Sequence, residues 1–417
     1  MAKSYLYKRP TKLEKQTKEE MTRKQIVEAI QAEYDERKLK RRELELQWNL
    51  NMDFYSGKQN RLITKFNTVI DVGKQFHWQQ SESFNHIAPI IESRLARIST
   101  YLNEKKASVI EEQPLIDPSL AEQATQWSEI TGTAFYKIFW VADQNGGRAQ
   151  VSVCSPFEIF PDNQSAGDIN EVSSLIHAKD LPVALIKDNW GVDLSHLGTD
   201  SVTVLERYER PSKERELGRL TIVAGEKLLY DGELPFMNEE GGVRGLPFVR
   251  QTSESNSWNF FGKSVIERAI PVQRAYNTVK NRKVEFLNRM ACGVLAVEEG
   301  SVDLESLEFD GLAPGKVIVY RQGMTPPQFM ETGTLPAELE REEERLLHEF
   351  ETISGGGDIT RTAKGNLTTA TALEILETRD ENRMSRTLNS ARRAITEATA
   401  QIQRLRSQFT QPDEEVA

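Results

Sequence analysis

Apolar residues recur at helical spacing over both ends of this chain and in strand-like runs through its middle. From Thr17 to about Tyr55, Met21, Ile26, Val27, Ile30 and Tyr34 return near the helical period, and Gly57 supplies a C-terminal stop. Ile87, Ile90, Ile91, Leu95 and Ile98 share one side of a second predicted helix. The period changes in "ITGTAFYKIFWVADQNGGRAQVSVCSPFEIFPD", where apolar, aromatic and β-branched runs are broken by Asn145-Gly146-Gly147, the signature of a hairpin. "SVTVLERYERP" and "GRLTIVAGEKLLYDGELPF" keep the same texture, so residues 130–250 are predicted to be mixed and dominated by strands.

After "WNFFGKS" the helical period returns. Ser264 to Met290 carries Val265, Ile266, Ile270, Tyr276, Val279, Phe286 and Leu287, and Pro271 predicts a kink or a restart. Such a helix spans ~40 Å. A compact insert, Cys292 to Thr334, holds strand-like "GVLAV" and "GKVIVY" around the acidic, turn-rich "EEGSVDLESLEFDGLAPG". Pro336 then opens a helix to Ser354, in the first-turn setting that suits proline. Gly355, Gly356 and Gly357 follow at once, in a short polar segment that carries Arg361 and Lys364. Three glycines cost folding entropy, so they mark a place where backbone freedom is useful. The last predicted helix runs from about Thr368 to Phe409. Met384, Leu388, Ala391, Ile395, Ala398, Ile402, Leu405 and Phe409 alternate spacings of four and three, a heptad seam that needs another helix to cover it. Met384, Leu388, Ile395, Ile402 and Leu405 are therefore candidate oligomerisation contacts.

Composition narrows the classes. The chain has 417 residues, enough for two or three domains, and a net charge of −10. A protein gripping DNA along a broad face is usually basic, so any contact with nucleic acid is local or weak. Residues 1–16 are polar and basic and read as disordered or an arm. Residues 1–42 hold thirteen Lys/Arg against seven Asp/Glu, either a solvated helical face, the preferred reading, or an arm touching a partner. Cys154 and Cys292 lie far apart, form no metal-ligand pattern, and fit packed thiols in a reducing compartment. The N-terminus lacks an apolar signal-peptide core, and no window approaches the ~18 apolar residues of a membrane span.

The usual catalytic patterns are missing. The sequence contains neither a G-x-x-x-x-G-K-[ST] phosphate loop nor a G-x-S-x-G elbow. His77, His86, His177, His196 and His348 are scattered, and none pairs with another at metal-ligand spacing, which favours surface or core roles. Asp303, Glu305, Glu308 and Asp310 are not framed by a glycine-pinned calcium loop and read as a solvated face. No enzyme activity, metal or cofactor is expected.

The order of elements is the most specific feature: mixed body, long helix, small insert, returning helix, glycine-rich segment, long helix. It resembles the bacteriophage portal protein, the head-to-tail connector of tailed phages. "FFGKSVIERAIPVQRAYNTVKNRKVEFLNRM" is similar to the family's descending stem helix, and "LAPGKVIVYRQGMTPPQF" to its clip. "LEREEERLLHEFETISGGGDITR" is similar to its returning helix and tunnel loop, and "TTATALEILETRDENRMSRT" to the start of its final helix. Upstream, "WNLNMDFYSGKQ", "NHIAPIIESRLAR" and "TGTAFYKI" match body motifs in order. The likeness covers about Gln47 to Thr387. It departs between "NEKKASVIEE" and "EITGTAF", where a family helix is expected to be reduced or absent around Pro114–Gln126, and in the short acidic tail after Phe409.

The resemblance implies an α+β protomer. Residues 1–261 would be an N-terminal arm and α/β wing, 262–291 a stem helix, 292–334 a small α/β clip and 335–353 a returning stem helix. Residues 354–367 would be a tunnel loop and 368–417 a long C-terminal wing or crown helix. It also implies a homo-oligomeric ring, commonly a dodecamer, at one capsid vertex of the virion, assembled in the host cytoplasm. Double-stranded DNA passes through the ring's channel during packaging and ejection. The expected partners are the terminase large subunit, which supplies ATP hydrolysis, a head-tail adaptor or tail protein, and capsid and scaffolding proteins. No membrane is involved.

The charge pattern agrees with such a channel. Lys263 to Met290 holds seven basic residues against two acidic, and Pro336 to Ser354 seven acidic against two basic. The asymmetry is either an accident of solvated faces or a complementarity within one subunit or between neighbours. Each exposed pair would contribute only ~0–1 kcal/mol, so the charges would set register more than stability. A wall neutralising roughly 6–10 phosphates would hold DNA rather than pass it. Gly355 to Thr368 carries only Asp358, Arg361 and Lys364, which suits brief phosphate contacts from a mobile loop; the plainer reading is a helix–helix linker. The competing function is a self-assembling structural or scaffolding protein that uses the C-terminal heptads.

Overall fold

Strand β3 (Thr133–Val141) is apolar or aromatic at nearly every position, the composition of a strand with no solvent face. The computed structural model describes residues 12–72, 79–107, 116–142, 147–236, 244–256, 258–292, 294–303, 305, 317–330, 333–354 and 370–409, and in it β3 is central and covered on both sides. It pairs antiparallel with β4 (Arg148–Cys154), the predicted hairpin, and with β10 (Phe248–Thr252). Of the hairpin's Asn145-Gly146-Gly147, the first two residues lie outside the described residues; Gly147 has φ 106°, the left-handed backbone that glycine permits.

Alternate side chains of β3 enter different cores, as the two-residue period of a strand requires. Ala134, Tyr136 and Ile138 pack with Ala124 of α3 (Pro118–Thr131) and Ala394, Ala398, Ile402 and Leu405 of the C-terminal helix, α7 (Ala370–Phe409). Phe135 points the other way. With Phe248 it meets Leu175, Tyr208 and Leu220 of a second sheet. That sheet is an antiparallel meander of β5 (Ile159–Pro161), β6 (Ser174–Pro182), β7 (Ser201–Glu209), β8 (Arg219–Ala224) and β9 (Lys227–Gly232). Its Ile176, Ala178 and Leu205 turn outward to Val27 and Ile30 of α1 (Lys12–Tyr55). The layers therefore run α7 with α3, three-stranded sheet, five-stranded sheet, α1. The short α4 (Val183–Trp190) closes the end of the larger sheet through Val183 and Ile186. The fold is α+β, as expected.

The reading of α1 as a solvated charged face holds for Lys38, Lys40 and Arg42 but fails for Arg37 and Arg41, which are buried. Arg37 Nη1 donates to Phe160 O at 2.8 Å. Arg41 donates to Pro156 O and Phe157 O, each at 2.8 Å, and its guanidinium lies 3.6 Å from the centre of the Phe160 ring. Glu33 and Glu45 supply the counter-charges. A guanidinium has five donors, and the turn between β4 and β5 presents carbonyls to receive them.

A second buried polar group lies between the sheets. Lys137 of β3 reaches Glu206 of β7, and His177 Nδ1 of β6 lies 2.9 Å from Glu206 Oε2. Burial and Lys137 push the imidazole pKa down, but hydrogen bonds to Cys154, Glu158 and Glu206 outweigh them and hold it at about 10. Burial also opposes ionisation of Glu206, yet Lys137 and His177 keep its carboxyl below the usual range.

Where a family helix was expected to be reduced or absent, a 14-residue helix forms. α3 starts at Pro118, where Asp117 Oδ1 accepts from Ser119 N at 2.9 Å and proline sits in the first turn. Its end, Gly132 (φ 92°), meets backbone directly: a Cβ there would lie 2.4 Å from Gly262 O, and one on Gly262 would lie 2.6 Å from Gly132 O. Only two glycines let the corner before β3 touch the corner after β10. No helix of the described residues is long and apolar enough to cross a membrane.

Candidate assembly and channel surfaces

The two helices predicted for the stem form an antiparallel pair. α5 (Val265–Cys292) begins at a capping arrangement in which Ser264 Oγ accepts from Ile266 N at 3.0 Å and Glu267 Oε1 accepts from Ser264 N at 3.2 Å. Of the predicted kink or restart at Pro271, the restart does not occur: one helix runs through the proline. Its first half packs Val265, Ile266, Ala269, Ile270 and Tyr276 against Leu50 and Phe54 of α1, Ile87 and Ile91 of α2 (Ile87–Ala107), and Leu346 and Phe350 of α6 (Ala337–Ser354). His86 stacks on Phe350 and meets Tyr276 edge-on, which locks the pair to the body.

The charge asymmetry closes inside one subunit. Glu343 of α6 accepts from Lys280 Nζ at 2.6 Å and from Lys283 Nζ at 3.1 Å, and Glu340 lies 3.8 Å from Lys283. Partial burial raises the Glu343 pKa, but the two lysines outweigh it and leave the carboxyl below its usual value. Of the alternatives open from sequence, pairing within the subunit is the one formed by these four residues.

A polar spine on α5 binds an extended segment. Gln273 Oε1 accepts from His86 N, Asn277 Oδ1 from Phe84 N, Asn281 Oδ1 from Glu82 N and Glu285 Oε1 from Gln80 N, each at 3.0 Å. Four helical residues rise ~6 Å and two extended residues ~6.6 Å, so every fourth side chain meets every second amide. Sequence reasoning missed this although the signal, Gln-x3-Asn-x3-Asn-x3-Glu, stands in the stem helix. The segment leads back to the pair β1 (Arg61–Ile63) and β2 (Val69–Asp71).

At the far end of α5 the insert forms a short antiparallel pair, β11 (Val294–Ala296) with β12 (Gln328–Met330). The second strand lies downstream of the predicted "GKVIVY", whose residues 317–320 are not in a strand. Val317 and Val319 are 82% and 80% exposed, and Leu287, Met290, Tyr320, Phe329 and Met330 are exposed too. Nothing among the described residues of the protomer covers these apolar groups.

The predicted tunnel-loop residues Gly355, Gly356, Gly357, Arg361 and Lys364 lie outside the described residues. The predicted oligomerisation contacts Met384, Leu388, Ile395, Ile402 and Leu405 pack within the protomer. Met384 and Leu388 pack with Ile98 of α2, Ile402 and Leu405 pack with Tyr136, Ile138 and Val249, and Ile395 lies against the same core. Phe409 stacks on Trp140 with ring centres 5.2 Å apart. The seam is therefore internal. A heptad stripe signals a covered face, and here a helix covers its first turns and a sheet the remainder. No family model and no curated protein matches the chain.

Proposed function

We propose that the chain is a portal protein: a ring-forming subunit at the capsid vertex, through whose channel double-stranded DNA is packaged and ejected. The observation that carries this reading is the helix pair α5–α6, rooted in the body through His86 and Phe350 and carrying exposed Val317, Val319, Phe329 and Met330 at its free end. Exposed apolar groups of that size mark an interaction surface. In this reading they pack against the same module of neighbouring subunits and offer the outer rim to terminase or a tail adaptor. In this reading the subunit is not an enzyme; its part is geometric, holding a channel, and the chain's net charge of −10 suits a wall that lets DNA slide.

The scaffolding alternative loses its main support, because the heptad seam it needs is spent inside the protomer. Negative-stain microscopy and native mass measurement on the purified protein test the proposal. Closed rings of one copy number with a central hole are expected; a monomer that persists at high concentration overturns it. In rings, the Arg361→Ala/Lys364→Ala variant should assemble normally and change DNA packaging or retention with an altered salt dependence. Wild-type behaviour at every salt concentration would reduce the segment to a linker.

A further inference from the structure

We infer that Cys154, Glu158 and His177 form a site for one zinc ion that ties the two sheets of the body together. The residues come from three different elements: the last position of β4, the turn before β5, and the middle of β6. Their ligand atoms lie within 4.8 Å of one another. His177 Nε2 is 3.6 Å from Cys154 Sγ and 3.4 Å from Glu158 Oε2. A tetrahedral zinc with Zn–S of ~2.3 Å and Zn–N and Zn–O of ~2.0–2.1 Å separates sulfur from nitrogen by about 3.5 Å and nitrogen from oxygen by about 3.3 Å. The two separations from His177 Nε2 thus match those that one ion requires, and the third ligand pair lies within 4.8 Å.

The surroundings are those of a prepared site. Glu158 Oε1 accepts from Ser155 Oγ at 2.8 Å and from Ser155 N at 3.3 Å, which leaves Oε2 turned to His177. The other imidazole nitrogen, Nδ1, is 2.9 Å from Glu206 Oε2, the carboxylate–histidine arrangement that fixes a metal-bound ring. Glu206 is itself held by Tyr208 Oη at 2.9 Å and by Lys137. Cys154 and His177 are buried, whereas the Glu158 side chain is 26% exposed, so solvent reaches the cluster on that side alone of the three and water takes the fourth position. Thiolate, imidazole and carboxylate together suit zinc better than magnesium or calcium, which prefer oxygen alone.

Without metal, hydrogen bonds among the same groups hold the cluster. Coordination takes the thiolate and the neutral imidazole, so any proton on Sγ or Nε2 leaves to solvent on binding. Lys137, Glu206 and Tyr208 stay in place behind the ring. The ion would cross-link β4 of one sheet to β6 of the other, adding to the packing of Phe135, Phe248 and Leu175 and to the Lys137–Glu206 pair.

The test uses the full chain, stripped with a chelator and titrated with Zn²⁺ and with Co²⁺ in mildly alkaline buffer. One metal per chain is expected, with a Co²⁺ spectrum showing tetrahedral d–d bands and a thiolate charge-transfer band. The charge-transfer band should vanish in Cys154→Ser and survive in Cys292→Ser, which alters the only other cysteine. Zinc at a hundred-fold excess over Kd should lower the unfolding equilibrium constant about 100-fold. Because Cys154→Ser alters a buried position, Glu158→Gln at the partly exposed ligand gives a second reading and should weaken binding at least ~10-fold. No stoichiometric uptake by the stripped wild type, or uptake unchanged by Cys154→Ser or Glu158→Gln, overturns the assignment and leaves a proton-filled hydrogen-bond cluster.

Discussion

Replacing Glu129 with glutamine should destabilise the protein by about 3–5 kcal/mol, because it removes one charge of a buried ion pair with Arg94. Glu129 of α3 is wholly buried. Its Oε2 accepts from Arg94 Nε of α2 at 2.5 Å and its Oε1 from Ser253 Oγ at 2.7 Å. Its backbone carbonyl accepts from Ser264 Oγ at 2.6 Å, at the root of α5. Arg94 also reaches Thr387 Oγ1 of α7 at 3.4 Å, and Thr387 donates to Ser253 O at 2.9 Å. Glu129 and its partners thus join α2, α3, α7, the end of β10 and the start of the stem. Glutamine keeps the shape and one acceptor, and the Ser253 hydroxyl can rotate to accept from the new amide. Hydrogen-bond loss alone would therefore cost only about 0.5–1.5 kcal/mol. The excess is the charge of Arg94 in a site that water barely reaches. Urea titration followed by tryptophan fluorescence and far-ultraviolet circular dichroism measures it, with coincident transitions required before a free energy is assigned. The decisive comparison is Arg94→Met with Glu129→Leu. Removing both charges should restore stability to wild type or exceed it by about 1–4 kcal/mol. A glutamine variant within about 1 kcal/mol of wild type, or a double variant as unstable as the single one, would refute the argument.

Three other outcomes follow from the geometry. Gly262→Ala should cost about 1–3 kcal/mol, read as a lowered urea midpoint, since the added methyl meets Gly132 O and Glu254 O at 2.6 and 2.7 Å. Asn281→Ala should accelerate hydrogen exchange at Glu82, whose amide it binds at 3.0 Å, while global stability falls by only about 0.5–1.5 kcal/mol. The stem pair should weaken in acid. The folded pKa of Glu343 is depressed, so its contribution is complete above the ordinary carboxylate range and is lost as pH falls through the folded value. Glu343→Gln should abolish that part of the acid dependence of stability and cost less than ~1 kcal/mol at neutral pH, because Lys280 and Lys283 remain partly solvated.

The sequence by itself determined the local structure. The helices 265–292, 337–354 and 370–409 begin and end within a few residues of their predicted limits, because periodicity, Pro336 and the capping Ser264 act over one or two turns. The β3–β4 hairpin was legible for the same reason. What covers each face was not. The seam from Met384 to Phe409 announces burial, yet whether a neighbouring subunit, a helix or a sheet buries it depends on contacts with residues such as Ile98 and Tyr136, hundreds of positions away. Arg37 and Arg41 look like surface charges until the turn at Pro156 brings carbonyls to them. Cys154, Glu158 and His177 have no metal-ligand spacing, since two strands from different sheets must pack before their ligand atoms converge. Local signals follow from short-range sterics and hydrogen bonding, which a few neighbouring residues dictate. The partner of an apolar stripe, a buried charge or a ligand atom is chosen by the whole chain's packing, and only the tertiary structure records that choice.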